Sequence, residues 1–194
     1  MKKSVMMFLL LLGLVGCSNE KGVNVQETLL EKSEILFSSL MNKDWEGFAQ
    51  HIHVDRGLVY SPFSNVGDTD DLLFKKVQIE KFGQDQTQYS WSWDQSGVTF
   101  DDTPNGFVDN LLKKHPMIDY EYTYASIAFN DSEIGSGGSQ PNTIHEVYPD
   151  AFYVEYFHEP EENHFELWQS IRFVYEEIDG DWYLVALVRG AHNP

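Results

Sequence analysis

The spacing of apolar and polar positions changes several times along the chain, and each change marks an element. From Gln26 onward, Leu29, Leu36 and Leu40, joined by Leu30, Phe37 and Met41, recur at helical spacing and predict an amphipathic helix that stops near Asn42. Asp44 can cap a second helix, in which Trp45, Phe48, Ala49 and Ile52 fall on one face. His53-Val-Asp55-Arg56-Gly57 ends it, and Leu58 to Phe63 reads as a strand closed by Pro62 and a Ser64-Asn65 turn. Leu72 to Phe74 predicts a short strand and Lys76 to Phe82 a short helix ended by Gly83. Tyr89, Trp91 and Trp93 alternate with polar residues, and Ser96-Gly97 turns that strand back into Val98 to Phe100. Thr103-Pro104 has the cap and first-turn proline of a helix start, with Phe107, Val108, Leu111 and Leu112 as its buried stripe and His115-Pro116 as its stop. Ile118 to Phe129 is mixed, Gly135 to Ser139 is a glycine-serine loop, and Glu146 to Phe157 predicts a strand.

The last stretch is the most strongly patterned. Trp168 to Tyr175 and Trp182 to Arg189 flank Asp179-Gly180, a pair suited to the two positive-φ positions of a type I′ turn. Counting outward from that turn sets Ile178 against Asp181, Phe173 against Ala186 and Arg172 against Leu187. Strict alternation then puts Ile171, Phe173, Tyr175, Leu184, Ala186 and Val188 on one face. Trp168, Arg172, Val174, Leu187 and Arg189 fall on the other, so both arginines share a face that must supply a carboxylate or a ligand if it is covered.

Helices first and strands last predict an α+β domain over residues 26–194, with helices covering one face of a curved antiparallel sheet that ends in a long hairpin. At 194 residues and 42% hydrophobic content the chain has material for one core. The segment Ser39-Leu-Met-Asn-Lys-Asp-Trp-Glu-Gly-Phe-Ala49 resembles the helical opening of NTF2-like domains, and Ile178-Asp-Gly-Asp-Trp-Tyr-Leu-Val185 resembles their last hairpin. The resemblance implies a cone with a pocket between helices and concave sheet, in which some members place an Asp or His acid/base and many have no activity. The residues between 64 and 145 depart from a minimal domain of that kind. His53-x-Asp55-Arg56-Gly57 and Trp168-Gln-Ser-x-Arg172 also resemble segments of Gram-positive-type lipoproteins.

The N-terminus is a different kind of sequence. Lys2 and Lys3 precede an apolar run from Val5 to Val15, too short to span a bilayer and right for a signal-peptide core, so residues 1–16 are expected to be removed. The run ends in Leu14-Val15-Gly16-Cys17, which resembles a lipobox, whose cysteine sulfur receives a diacylglyceryl group and becomes the new N-terminus. The expected location is the cell membrane, lipid-anchored and facing away from the cytoplasm. Ser18, rather than Asp, after the cysteine points to the outer membrane where the organism has one. Residues 17–25 read as the lipidated cysteine and a tether. Cys17 is the only cysteine, which excludes an internal disulfide. Removing Lys2 and Lys3 takes the formal charge from −18 to −20, a surface that repels nucleic acid and holds the domain off an anionic membrane.

Three readings of the chemistry follow. In the first, Arg172 and Arg189, ringed by Trp168, Trp91 and Tyr153, floor a pocket for an anionic or sugar-like ligand, a cell-wall fragment or a protein partner, without catalysis; the structural alternative, favoured for Arg172, pairs them with Asp55 or Glu155. In the second, Asp55 or His53 moves a proton on a bound substrate. In the third, the convex sheet face binds protein, as a homodimer. His51-x-His53 with Asp55 has the wrong spacing for ligands at a helix end, and His145, His158 and His164 lie in separate loops, so neither a metal nor a cofactor is expected. Cys17→Ala should leave the precursor unprocessed or release it from the membrane, and membrane retention with normal cleavage would defeat the lipoprotein reading.

Overall fold

The computed structural model describes residues 20–92, 99–133, 141–163 and 167–191. Cys17, the signal segment, Trp93, the Ser96-Gly97 turn, the Gly135–Ser139 loop and His164 lie outside the described residues. Helix α1 (Glu20–Asn42) buries Leu29, Ser33, Leu36 and Leu40, one stripe at helical spacing. It begins six residues before the expected start at Gln26, because extending an existing helix costs far less than nucleating one. Lys43 takes φ +58°, and its N–H and that of Asp44 cap the end on Leu40 and Ser39 carbonyls. Asp44 then accepts from the Gly47 N–H at 3.0 Å and starts α2 (Trp45–Ala49).

Strands β1 (Leu58–Ser61), β2 (Leu72–Phe74), β3 (Tyr89–Ser92), β4 (Thr99–Asp102), β5 (Ser126–Phe129), β6 (Phe152–His158), β7 (Gln169–Ile178) and β8 (Asp181–Ala191) follow in chain order. They alternate with short helices α3 (Lys76–Ile79), α4 (Pro104–Phe107) and α5 (Ile144–Val147). A π-helical turn, Val108–Leu112, continues α4. Six strands form one sheet in the order β2-β1-β8-β7-β6-β5, and β3 and β4 form a separate pair. The sheet is mixed rather than antiparallel throughout, because β1 runs parallel to β8. The Leu184 N–H donates to the His51 carbonyl at 2.9 Å, which pins the end of α2 beside the start of β8. A strand leaving that point runs the same way as β8. Gly57 makes the turn at φ +74°, where a Cβ would meet the Phe74 carbonyl at 2.6 Å.

The hairpin turn forms at Asp179 and Gly180, with φ +55° and +90°. Ile178 faces Asp181 and Tyr175 faces Leu184, but Val174 faces Ala186, so Val185 is an extra residue in β8. Beyond that bulge the register moves by one, setting Phe173 against Leu187 and Arg172 against Val188. Leu187 therefore joins Ile171, Phe173, Tyr175 and Leu184 beneath the helices, while Ala186 and Val188 turn to the other face. The shared face expected for the two arginines is corrected by the same shift. Arg189, opposite Ile171, lies on the helix side, and Arg172, opposite Glu155 and Val188, on the far side.

That far face is also covered. Residues expected as the start of a strand at Glu146 instead form α5, which lays Ile144 and Tyr148 with Val66 over Val174, Val185, Ala186 and Val188. A β strand cannot begin there because Ile144 must point into this second core while Pro149 interrupts the chain before β6. The covering loop and α5 are tied together by Thr143, which donates through Oγ1 to the Val66 carbonyl at 3.0 Å. Beneath them lies a buried ion pair. Arg172 Nε meets Glu155 Oε2 at 2.5 Å, with both side chains at most 1% exposed. Its other nitrogens donate to Ser64 Oγ at 2.9 Å and Ser132 Oγ at 3.0 Å. Glu155 also accepts from Ser132 Oγ and from the Glu133 N–H. Removing one partner strands the other charge, so Arg172→Met should cost on the order of 3 to 5 kcal/mol by chemical denaturation. Arg172→Met with Glu155→Leu should recover much of that loss, whereas a double-variant loss equal to the sum of the two single-variant losses would show that the pair carries no coupling.

Candidate functional site

On the helix side, the concave face divides into an apolar part and a polar part. The apolar part lies under α2 and β1, where Trp91 is 2% exposed, stacks on Phe107 at 4.3 Å between ring centres and meets the edge of Tyr60 at 5.4 Å. Its indole N–H donates to the Asp102 carbonyl at 2.9 Å. The space left among Trp91, Phe48, Phe82, Phe74 and Leu187 is about 20 Å3, room for one water and lined only by apolar atoms. Trp91 fills the cone instead of lining an open pocket.

The polar part sits where β7 and β8 run under the π-helical turn. Arg189 is 1% exposed and donates from Nε to Gln169 Oε1 at 2.8 Å. The Gln169 amide donates in turn to the Leu112 carbonyl at 3.1 Å and meets the Tyr124 hydroxyl, which itself donates to Leu112 at 2.6 Å. The wide turn at Val108–Leu112 makes this convergence possible, since the carbonyls at a helix end lack intrahelical partners. Burial pushes the Tyr122 phenol up to about 12 and raises those of Tyr60 and Tyr124, and in all three the Arg189 charge opposes the rise. Burial, and then Arg189, hold the His115 imidazole below its ordinary value.

The segment 113–123 closes over this cluster as a small hairpin. His115 N–H donates to the Tyr120 carbonyl at 2.9 Å and Tyr122 N–H to the Lys113 carbonyl at 2.8 Å. His158 fastens it from below, with Nε2 at 3.0 Å from the Tyr120 hydroxyl and Nδ1 accepting from the Thr123 N–H at 2.9 Å. Among the described residues, Arg189 thus lies beside tyrosines, a histidine and a glutamine, polar groups that hold the guanidinium in a fixed orientation.

Of the residues singled out from the sequence, only Arg189 and Trp91 share the concave side, and they belong to its polar and apolar parts. Arg172 and Tyr153 lie on the far face, where Tyr153 accepts from the Asn142 amide at 3.1 Å. Trp168 packs its ring 6.3 Å from Phe157. Asp55 is exposed on the turn after α2, and its backbone carbonyl accepts from Lys75. His53 Nδ1 accepts from the Asp55 and Arg56 N–H groups, and its ring meets Tyr183 edge-on. Arg56 pairs with Glu176 at 2.9 Å rather than with Asp55. Sequence reasoning missed Gln169, Tyr122, Tyr124, His115 and His158. Gln169 alone left a signal, as a polar residue at the head of an apolar strand.

No family model matches the chain, and no curated protein matches it. Among solved structures it is similar to an NTF2-like protein with a cystatin-like fold from Novosphingobium aromaticivorans, at 11% identity over 91% of this chain and 92% of that one, with a TM-score of 0.39. It is also similar to a Xanthomonas campestris protein assigned to the calcium/calmodulin dependent protein kinase II association domains, at 14% identity over 96% and 97% of the two chains, with a TM-score of 0.34. Likeness at this level carries no argument about what this chain does. The helices over a six-stranded mixed sheet that ends in a hairpin are read from its own strand order. Among the described residues, no helix is long and apolar enough to cross a membrane, and no group of three or more His, Cys, Asp and Glu could hold a metal.

The lowered His115 pKa sets a pH dependence. Below its ordinary 6.5 the unfolded chain takes up a proton that the folded chain resists, so this contribution is complete above pH 6.5 and is lost as pH falls towards the lower folded value. Between about pH 7 and pH 5 the melting temperature should fall, and His115→Asn, which keeps an acceptor for the Met117 N–H, should flatten part of that slope. An unchanged slope in the variant would remove His115 from the account.

Proposed function

We propose that this chain is a lipid-anchored, extracytoplasmic NTF2-like domain that binds a small anionic ligand without transforming it, a cell-wall fragment being the chemistry of first interest. The observation that carries the reading is Arg189, a guanidinium buried on the concave face, oriented by Gln169 and walled by Tyr122, Tyr124 and His115. Such a fork, preset in an enclosed site, holds a carboxylate in two contacts where a lysine would hold it in one. Entry of such a ligand would require the 113–123 hairpin to lift from His158. Support for a binding role over catalysis comes from the places of Asp55, exposed, and His53, half-buried against Tyr183, on the turn after α2 and away from the Arg189 cluster. Support against a dimer through the convex sheet comes from α5 and the 62–71 loop, which already bury that face.

The anchor at Cys17 would keep the site at the membrane while the acidic surface holds the domain clear of anionic lipid. Purified full-length chain in a non-ionic detergent should show a saturable rise in melting temperature with N-acetylmuramic acid, whose lactyl carboxylate is the proposed contact, and none with neutral N-acetylglucosamine. Arg189→Lys should weaken that response about tenfold or more, with the sugar recovered unchanged by mass spectrometry. A turned-over sugar would favour the pocket-enzyme reading, and no response to any small carboxylate would remove the anion site.

A further inference from the structure

A second, chemically opposite groove lies on the helix side of the sheet but at its other end, where the tip of the β7-β8 hairpin meets the start of β6 and α1 near Val25. It has a volume of about 580 Å3. Its walls include Phe152 and Trp182, half-buried rings set edge to face with centres 5.5 Å apart, and Val25 of α1. Its rim is made of carboxylates: Asp150 and Glu177, both exposed, and Glu176. Glu177 stands directly across from Trp182 in the β-ladder, so one acid and one indole face the groove from the same side of the sheet. Glu176 is held by Arg56 on the outer side, whereas Asp150 and Glu177 form no ion pair among the described residues.

The Lys32 side-chain ammonium sits against the next surface of the hairpin. Lys32 Nζ donates to the Trp182 backbone carbonyl at 2.5 Å, with the Asp181 charge favouring its protonated form against burial. Among the described charged groups at this end, Asp150, Glu176, Glu177 and Asp181 stand against Lys32 and Arg56, a negative balance. Partly exposed aromatic rings beside carboxylates, in a hollow large enough for a small organic group, form the surface that attracts an alkylammonium head by ring quadrupole and charge together. An anion would meet repulsion there, and a neutral apolar group would leave the carboxylate rim without a partner.

We propose that this groove binds a soluble alkylammonium cation, with Trp182 and Phe152 as the aromatic wall and Asp150 and Glu177 as the counter-charges. The site is separate from the Arg189 cluster and does not depend on it. The test is a titration of the 15N-labelled full-length chain in dodecyl maltoside with choline, following the Trp182 indole N–H resonance, which is assigned by its loss in Trp182→Phe. The expected result is a saturable shift with choline and none with 3,3-dimethylbutan-1-ol, the neutral compound of the same shape. Asp150→Asn with Glu177→Gln, two exposed positions, should keep the melting temperature and weaken choline about tenfold or more. A non-saturating shift, an equal shift with the neutral compound, or unchanged choline binding in the double variant would overturn the proposal. Choline binding that survives Arg189→Lys unchanged is required as well, since its loss there would place the cation in the other site.

Discussion

The contact on which the rest of the architecture leans is the ion pair between Arg172 and Glu155. Both side chains are essentially out of solvent, and a lone charge in that position would cost several kcal/mol after relaxation. The pair satisfies this demand by recruiting Ser64, Ser132 and the Glu133 N–H, which belong to the two segments that cross the far face of the sheet. A single buried network therefore decides that the 62–71 loop and the chain after β5 lie against β6 and β7. The apolar residues Val66, Ile144 and Tyr148 then complete a second core beside the larger one under the helices. Hydrophobic burial supplies the bulk of the stabilisation there, and the ion pair supplies the position.

The bulge at Val185 divides the chemistry of the sheet. With one extra residue in β8, both Val185 and Ala186 pack into the second core and the alternation restarts with Leu187 under the helices. Arg172 and Arg189 are thereby sent to opposite faces, where they meet opposite surroundings. Arg172 finds a carboxylate and becomes a structural clamp. Arg189 hydrogen-bonds the Gln169 amide and lies near the phenols of Tyr122 and Tyr124 and the imidazole of His115. Two residues of one type, seventeen positions apart, take different work because a single register step separates their faces.

Segregation on the concave side follows from the middle of the chain. Aromatic rings from β3, α4 and the 79–82 turn fill the cone below α2 almost completely, while the other end of that interior holds the network of Arg189, Gln169 and Tyr124. The π-helical turn at Val108–Leu112 brings the Leu112 carbonyl to Gln169, so the same insertion both closes the apolar part and orders the polar one. At the far end of the hairpin, Trp182 and Phe152 remain half-exposed beside carboxylates, so a buried guanidinium lies towards one end of β8 and an acidic rim at the other.

By itself the sequence determined what depends on neighbours a few residues away. The α1 stripe, the Asp44 and Thr103 caps and the Asp179-Gly180 turn were readable because helical spacing, capping and positive φ are local requirements. The α+β order followed from them, as did the apolar character of the last hairpin. Tertiary structure alone decided the parallel pairing of β1 with β8, the bulge, the helix at Ile144–Val147 and the site itself. Arg172 reaches Ser64 across 108 positions and Gln169 reaches Leu112 across 57. Such contacts leave no period in the sequence, because the partner of a buried polar group is chosen by which segments the fold brings within hydrogen-bond distance, and that is settled only when the whole core closes.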